Sequence, residues 1–313
     1  MPPIPTGGLA RPRVISYFQT YFPEHGTYVS LLPLYTSSSG ITHVILAAFH
    51  INEDAESITL NDDSPDDTRY GPLWEEVRVL QGAGIKVLGM LGGAAKGSFQ
   101  RLDGEAHTFE EYYTPLRDMI KIRELDGLDL DVEEEMSLEG IIRLIDRLKS
   151  DFGNHFIITL APVASAMVRG LRHLSGFDYF ALEEQRGSKI SWYHTQFYNG
   201  WGGISDVTAY ETIMSNGWPT EKIVVGVLTN PRNGTQGYVP LETLNLVFAT
   251  LIQKYPSFGG VSGWEYFNAL PGGEEKPWQW AAIMSFIFAM KYLYDTAVVG
   301  AFLMAVNGGP HRN

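Results

Sequence analysis

The residues best suited to chemistry lie in one short run, Asp126-Gly127-Leu128-Asp129-Leu130-Asp131-Val132-Glu133-Glu134. Side chains of an extended strand alternate faces, so Asp129, Asp131 and Glu133 share one face and Leu128, Leu130 and Val132 the other. Successive carboxylates on such a face stand about 6.6 Å apart along the chain by Cα. Anions this close and shielded from water cannot all stay ionised, so at least one should hold a proton near neutrality. A carboxyl that keeps its proton at neutral pH is a general acid, and its ionised neighbour can stabilise developing positive charge. Two other readings of the run are a site for Mg²⁺ or Ca²⁺ and a solvated acidic face. The regular apolar residues between the acids favour a buried strand and, with it, acid–base catalysis.

A row of this kind works only if a scaffold aims it at a cavity. Eight apolar, β-branched runs recur along the chain: Val14–Thr20, Ile41–Ile51, Lys86–Gly93, Gly127–Glu133, Phe156–Val163, Trp192–Asn199, Ile223–Thr229 and Gly260–Asn268. Helical spacing marks Pro72–Gln81, Phe109–Arg123, Leu138–Phe152, Leu241–Tyr255 and Trp278–Tyr294 between or after them, with Ser137 as the expected N-cap of the third. Strands alternating with helices imply parallel pairing through right-handed crossovers. Eight of them in about 260 residues predict an α/β fold, a single (β/α)8 TIM barrel. The core is expected over about residues 13–294 of one catalytic domain, followed by a short tail, Asn307–Asn313. The acidic row then falls on the fourth barrel strand and climbs toward the C-terminal mouth, where barrel active sites lie.

Composition narrows the ligand. Thirty-six acids against 23 bases give a formal charge of -13, with no Lys/Arg cluster, which disfavours nucleic acid and anionic membranes. A neutral ligand is expected. Cysteine is absent, so disulfides, thiolate metal sites and thiol catalysis are excluded. The eight histidines form no metal-ligand pair, and no cofactor or metal is expected. Gly92-Gly93-Ala94-Ala95-Lys96-Gly97-Ser98 fails as a phosphate loop because its lysine precedes the last glycine. The apolar stretches Ala281–Met290 and Ala297–Val306 are too short to span a bilayer and are expected to be packed helix faces. The N-terminus has no apolar leader, which predicts a cytoplasmic protein, or a secreted one if the chain begins at a mature N-terminus. A monomer is expected. Glu53–Asp67, acidic and turn-rich, is expected to be a solvated loop or a rim of the cleft. Asn233-Gly234-Thr235 is a glycosylation sequon, relevant only on the secretory route.

The acidic run resembles the Asp-x-x-Asp-x-Asp-x-Glu signature of family 18 glycoside hydrolases. Lys86-Val87-Leu88-Gly89-Met90-Leu91-Gly92-Gly93 resembles that family's third-strand Ser-x-Gly-Gly motif, with Met90 where serine is usual. Gln196-Phe197-Tyr198-Asn199 resembles its tyrosine-bearing sixth strand, and Gly263-Trp264-Glu265-Tyr266 the strand that supplies a tryptophan floor. Leu160-Ala161-Pro162-Val163, the extension Gln196-Phe197-Tyr198-Asn199-Gly200 and Trp264-Glu265-Tyr266-Phe267-Asn268 are similar to fungal endo-β-N-acetylglucosaminidases within the family. The likeness runs over about residues 14–294. It implies a retaining, substrate-assisted reaction through an oxazolinium ion, with Glu133 as general acid, Asp131 orienting the substrate acetamide, Asp129 tuning Asp131 and Tyr198 donating to the acetamide oxygen. Trp264, Gln196, Trp201 and Asp126 are the further site candidates, Asp126 at the base of its strand and closer to a structural role. The implied substrates are N-glycans or glycoproteins cut at the chitobiose core, or chitin oligosaccharides. An inactive sugar-binding relative is the remaining alternative.

Overall fold

The computed structural model describes residues 12–24 and 26–290. Eight strands form a closed parallel barrel: β1 (Arg13–Phe18), β2 (His43–Ile51), β4 (Lys86–Gly92), β5 (Gly127–Asp131), β6 (Ile157–Leu160), β7 (Trp192–Gln196), β8 (Ile223–Leu228) and β9 (Gly260–Trp264). A three-residue strand, β3 (Ile58–Leu60), pairs antiparallel with β2 outside the barrel. β1 bonds to both β2 and β9, which closes the ring. Helices cover every crossover: α1 (Leu32–Thr36), α2 (Gly71–Gly82), α3 (Ser98–Leu102), α4 (Ala106–Arg123), α5 (Leu138–Phe152), α6 (Tyr179–Arg186), α7 (Thr208–Ser215) and α8 (Leu241–Lys254). All eight expected strands are present, and the expected last helix is helical over 279–290. Residues 291–294, the stretch Ala297–Val306 and the tail Asn307–Asn313 lie outside the described residues. None of the helices described is long and apolar enough to cross a membrane.

α5 follows from its sequence directly. The Ser137 hydroxyl accepts from Gly140 N at 2.9 Å, Glu139 sits in the first turn, and Gly153 closes the helix with φ +82°. Ile141, Leu144, Ile145 and Leu148 are buried at the i, i+3, i+4, i+7 spacing of one face. α6 and α7 went unpredicted because eight residues give little more than two turns of periodicity.

The barrel interior divides in two. Ile15, Ile45, Ala47, Leu88 and Met90 from β1, β2 and β4 make an apolar wall. Opposite stand Asp129, Asp131, Thr159, His194, Gln196 and Ser262, all buried. The lower end is closed by Arg13, whose guanidinium lies 4.3 Å from the Trp192 ring centroid, with the His43 ring at 4.9 Å on an edge contact. β5 and β6 approach so closely that a Cβ on Gly127 would fall 2.3 Å from the Ile157 carbonyl oxygen. Glycine opens the strand that carries the acids for this reason.

Candidate active site

β5 ends at Asp131, two residues earlier than expected, and β7 and β9 likewise stop at Gln196 and Trp264. The alternation nevertheless persists past the ladder. Glu133 and Tyr198, just beyond their strand ends, line the same cavity of about 370 Å³ as Asp131, Gln196, Asn199, Trp264 and Met90. Leu128, Leu130 and Val132 face outward into the helix-packed core.

Each carboxylate has its own supports. Asp129 is fully buried and accepts from Tyr17 Oη at 2.8 Å and from Thr159 Oγ1 at 2.6 Å. Burial pushes its pKa up to about 6 against the pull of those two donors. Asp131 is raised well above the usual carboxylate range, first by burial and then by the charges of Glu133 and Asp129. Glu133 is raised by burial and partly restored by a hydrogen bond from Gln196. Gln196 bridges the pair. Its Nε2 lies 2.8 Å from Ala161 O, 3.2 Å from Asp131 Oδ1 and 3.3 Å from Glu133 Oε1, so two hydrogens serve three acceptors. Burial and the three acids keep Tyr198 protonated, and its hydroxyl makes no hydrogen bond to the described residues.

Two candidate residues stand elsewhere. Asp126 lies at the opposite end of β5, where its carboxylate accepts from Lys86 Nζ at 2.7 Å, Val87 N at 2.9 Å and Gln81 Nε2 at 3.0 Å. It pins strand ends at the barrel's base and cannot reach substrate at the mouth. Trp201 packs half-buried against the outer core and does not line the mouth cavity. Among the described residues no group of three histidines and acids is arranged to hold a metal ion.

Tyr17, Thr159 and His194 belong to the polar interior yet were missed from sequence. The available signal was a polar residue at an inward position of an otherwise buried strand. Met90 sits where the family motif has serine, and as a thioether it offers Asp129 no donor. Thr159, paired with Asp129 on the other side, donates to it at 2.6 Å. Two motifs resolve as scaffolding. The amides of Gly97 and Phe99, which a phosphate would need, donate to the buried Glu134 at 2.7 and 2.8 Å. The sequon's Asn233 amide donates to Asn268 Oδ1 at 2.8 Å and Thr229 Oγ1 at 3.1 Å, and accepts from Asn268 Nδ2 at 2.7 Å. The Glu53–Asp67 stretch rims a second chamber of about 850 Å³, which shares Gln19, His50 and Ala95 with the first.

Fold and site together define a parallel (β/α)8 barrel with an acid–base carboxylate cluster at its C-terminal mouth. The chain belongs to the glycosyl hydrolases family 18, whose model matches residues 13–291. Chitinase 2 of Rhizopus oligosporus is 24% identical over 292 residues, covering 84% of this chain and 50% of that protein. The chain thus spans about half the length of that relative. Chitinase ChiC from Aspergillus fumigatus is 60% identical, with a TM-score of 0.82, covering 88% of this chain and 99% of that one. A fungal endo-β-N-acetylglucosaminidase of family 18 is 48% identical, with a TM-score of 0.85, covering 88% and 98%.

Proposed function

We propose that this chain is a retaining glycosidase that uses its substrate's own 2-acetamido group as nucleophile, and that it cuts the GlcNAc-β-1,4-GlcNAc core of N-glycans. One observation carries the mechanism. Among the described residues the acids lining the catalytic cavity are Asp131 and Glu133, both from the end of one strand, with none across the opening. A two-carboxylate mechanism needs groups flanking opposite faces of the sugar. Here the second face has no acid to serve it, and the acetamide oxygen can attack the anomeric carbon in its place. Glu133, whose pKa burial raises, gives its proton to the departing glycosidic oxygen as that C–O bond breaks. Asp131 orients the acetamide N–H and offsets the positive charge of the oxazolinium ion. Tyr198 donates to the acetamide oxygen, and Trp264 floors the ring. Ionised Glu133 then takes a proton from the water that adds to the anomeric carbon, so configuration is retained.

The adjoining chamber supports a branched substrate. Its volume lies beside the catalytic cavity, with polar side chains such as Asn52, Thr59 and Asn61 on its wall. That space offers room for a glycan arm beside the cleaved sugar. The 60% identity to chitinase ChiC favours a second reading, an endochitinase with the same chemistry. Mass spectrometry of products from a denatured glycoprotein and a chitin oligomer, assayed side by side, separates the two. Released high-mannose glycan with one GlcNAc left on asparagine is expected. Trimmed chitin oligomers with untouched glycoprotein would install the endochitinase, and hydrolysis of neither would leave the sugar-binding alternative.

A further inference from the structure

Below the Trp264 floor, inside the barrel, is a small cavity of about 10 Å³ bordered by Asp131, His194, Tyr198, Ser262 and Trp264 among others. Two of these residues bring it a polar atom with no hydrogen-bond partner among the described residues: His194 Nδ1 and Ser262 Oγ. Both side chains are about 1% exposed. The state of His194 follows from its other nitrogen. Trp192 Nε1–H donates to His194 Nε2 at 2.8 Å, and an indole nitrogen can only donate, so that lone pair is occupied. Burial, with the Arg13 guanidinium beneath, lowers its pKa well below the ordinary histidine value and holds the ring neutral. The ring proton therefore sits on Nδ1, as a buried donor.

Orphaned donors are rare in folded interiors because desolvation without a partner is costly. A water molecule needs roughly 10–15 Å³ of this kind of volume and two to four polar partners. The cavity meets both conditions. Asp131 has acceptor capacity to spare, since its carboxylate receives one side-chain hydrogen bond, from Gln196. We propose that the cavity is a built site for one water molecule, which accepts from His194 Nδ1–H, bonds to Ser262 Oγ and donates to the underside of Asp131. Trp192, His194 and Ser262 are then positioning residues that act on Asp131 through that water. The polar half of the interior thereby continues as one network from the barrel's base to its mouth. Asp129 and Glu133 face Asp131 from β5 and its end, Tyr17 and Thr159 reach Asp129 from β1 and β6, and Gln196 and Tyr198 come from β7 and beyond.

A crystal structure at a resolution that places waters tests the site itself. One water within hydrogen-bond distance of His194 Nδ1 and Ser262 Oγ is expected. A dry cavity, or a His194 ring turned so that Nδ1 bonds a protein atom, overturns the proposal. Ser262→Val fills the space with a methyl group and removes a partner. Losing a donor disfavours ionised Asp131, so the acid limb of the kcat/KM profile should move up by roughly half a pH unit. Ser262→Ala leaves the space open and should keep the limb close to wild type. Superimposable profiles for Ser262→Val and wild type overturn the positioning role. This kinetic half rests on the proposed roles of Asp131 and Glu133, whereas the crystallographic half does not. A water at the site in a chain that cleaves no 2-acetamido sugar would retire those roles and leave the water site standing.

Discussion

Asp126, just before the five-residue strand β5, and Asp131, its last residue, have surroundings that make them different groups. At the base, Asp126 has a lysine, a glutamine amide and a backbone N–H around it, each donating. At the mouth, Asp131 has one shared amide and two carboxyl neighbours. A carboxylate whose negative charge is matched by donors becomes scaffolding. One whose charge is left short of partners becomes reactive, because burial and like charge move its proton affinity toward neutrality.

Substitutions at the two ends should therefore give opposite signatures. The largest effect is expected for Glu133→Gln, which keeps shape but removes the transferable proton. Turnover should fall about 10²–10⁴-fold with sugar binding spared, as measured by initial rates and calorimetry. Unchanged turnover would remove Glu133 as proton donor. Asp131→Asn should lower hydrolysis about 10²-fold, with residual use of a supplied oxazoline donor. It should also leave the melting temperature equal or higher, since a crowded buried charge is gone. A clear drop in stability would erase the contrast with Asp126. Thr159→Val removes the shorter of the two bonds to Asp129 and should cost roughly tenfold in kcat, with KM little changed.

The same contrast predicts how stability varies with pH. Asp129, Asp131 and Glu133 have folded pKa values above their unfolded ones, so the folded state binds more protons. Their contribution is fully present below pH ~4 and is lost as pH rises through the folded values, past about 6 for Asp129. Thermal unfolding followed from pH 4 to 8 should show this decline, with a shallower slope in Asp131→Asn. Equal slopes would mean that Asp131 does not carry the strain. The smallest catalytic effect is expected for Asp126→Ala, with kcat/KM within about twofold of wild type. Its cost should appear in denaturant unfolding, at about 1–3 kcal/mol, because Val87 N loses its acceptor.

Much of this site was legible in the sequence because it lies on one strand. Asp129, Asp131 and Glu133 were found from a period of two, which a strand enforces locally whatever it pairs with. Tyr198 and Trp264 were reached through motifs at the ends of their own strands. Tyr17, Thr159 and His194 were not found, since each is 30 or more positions from Asp129 and becomes its neighbour only when the barrel closes. Asp126 stands at the base of its strand, as its position before the row implied, and Trp201 does not line the mouth cavity. Position along a strand fixes which end of the barrel a residue occupies, but a residue beyond the strand, such as Trp201, is placed by the packing of its loop.

The sequence by itself determined the alternation of strands and helices, the inward face of the acidic row and the family, since each rests on short-range spacing. Tertiary structure alone decided which acids have donors and which do not. It also brought Tyr17 from β1 and Thr159 from β6 to Asp129 as its donors. Partner supply is a matter of distance in space, and eight strands closing on one another set those distances where no single segment can.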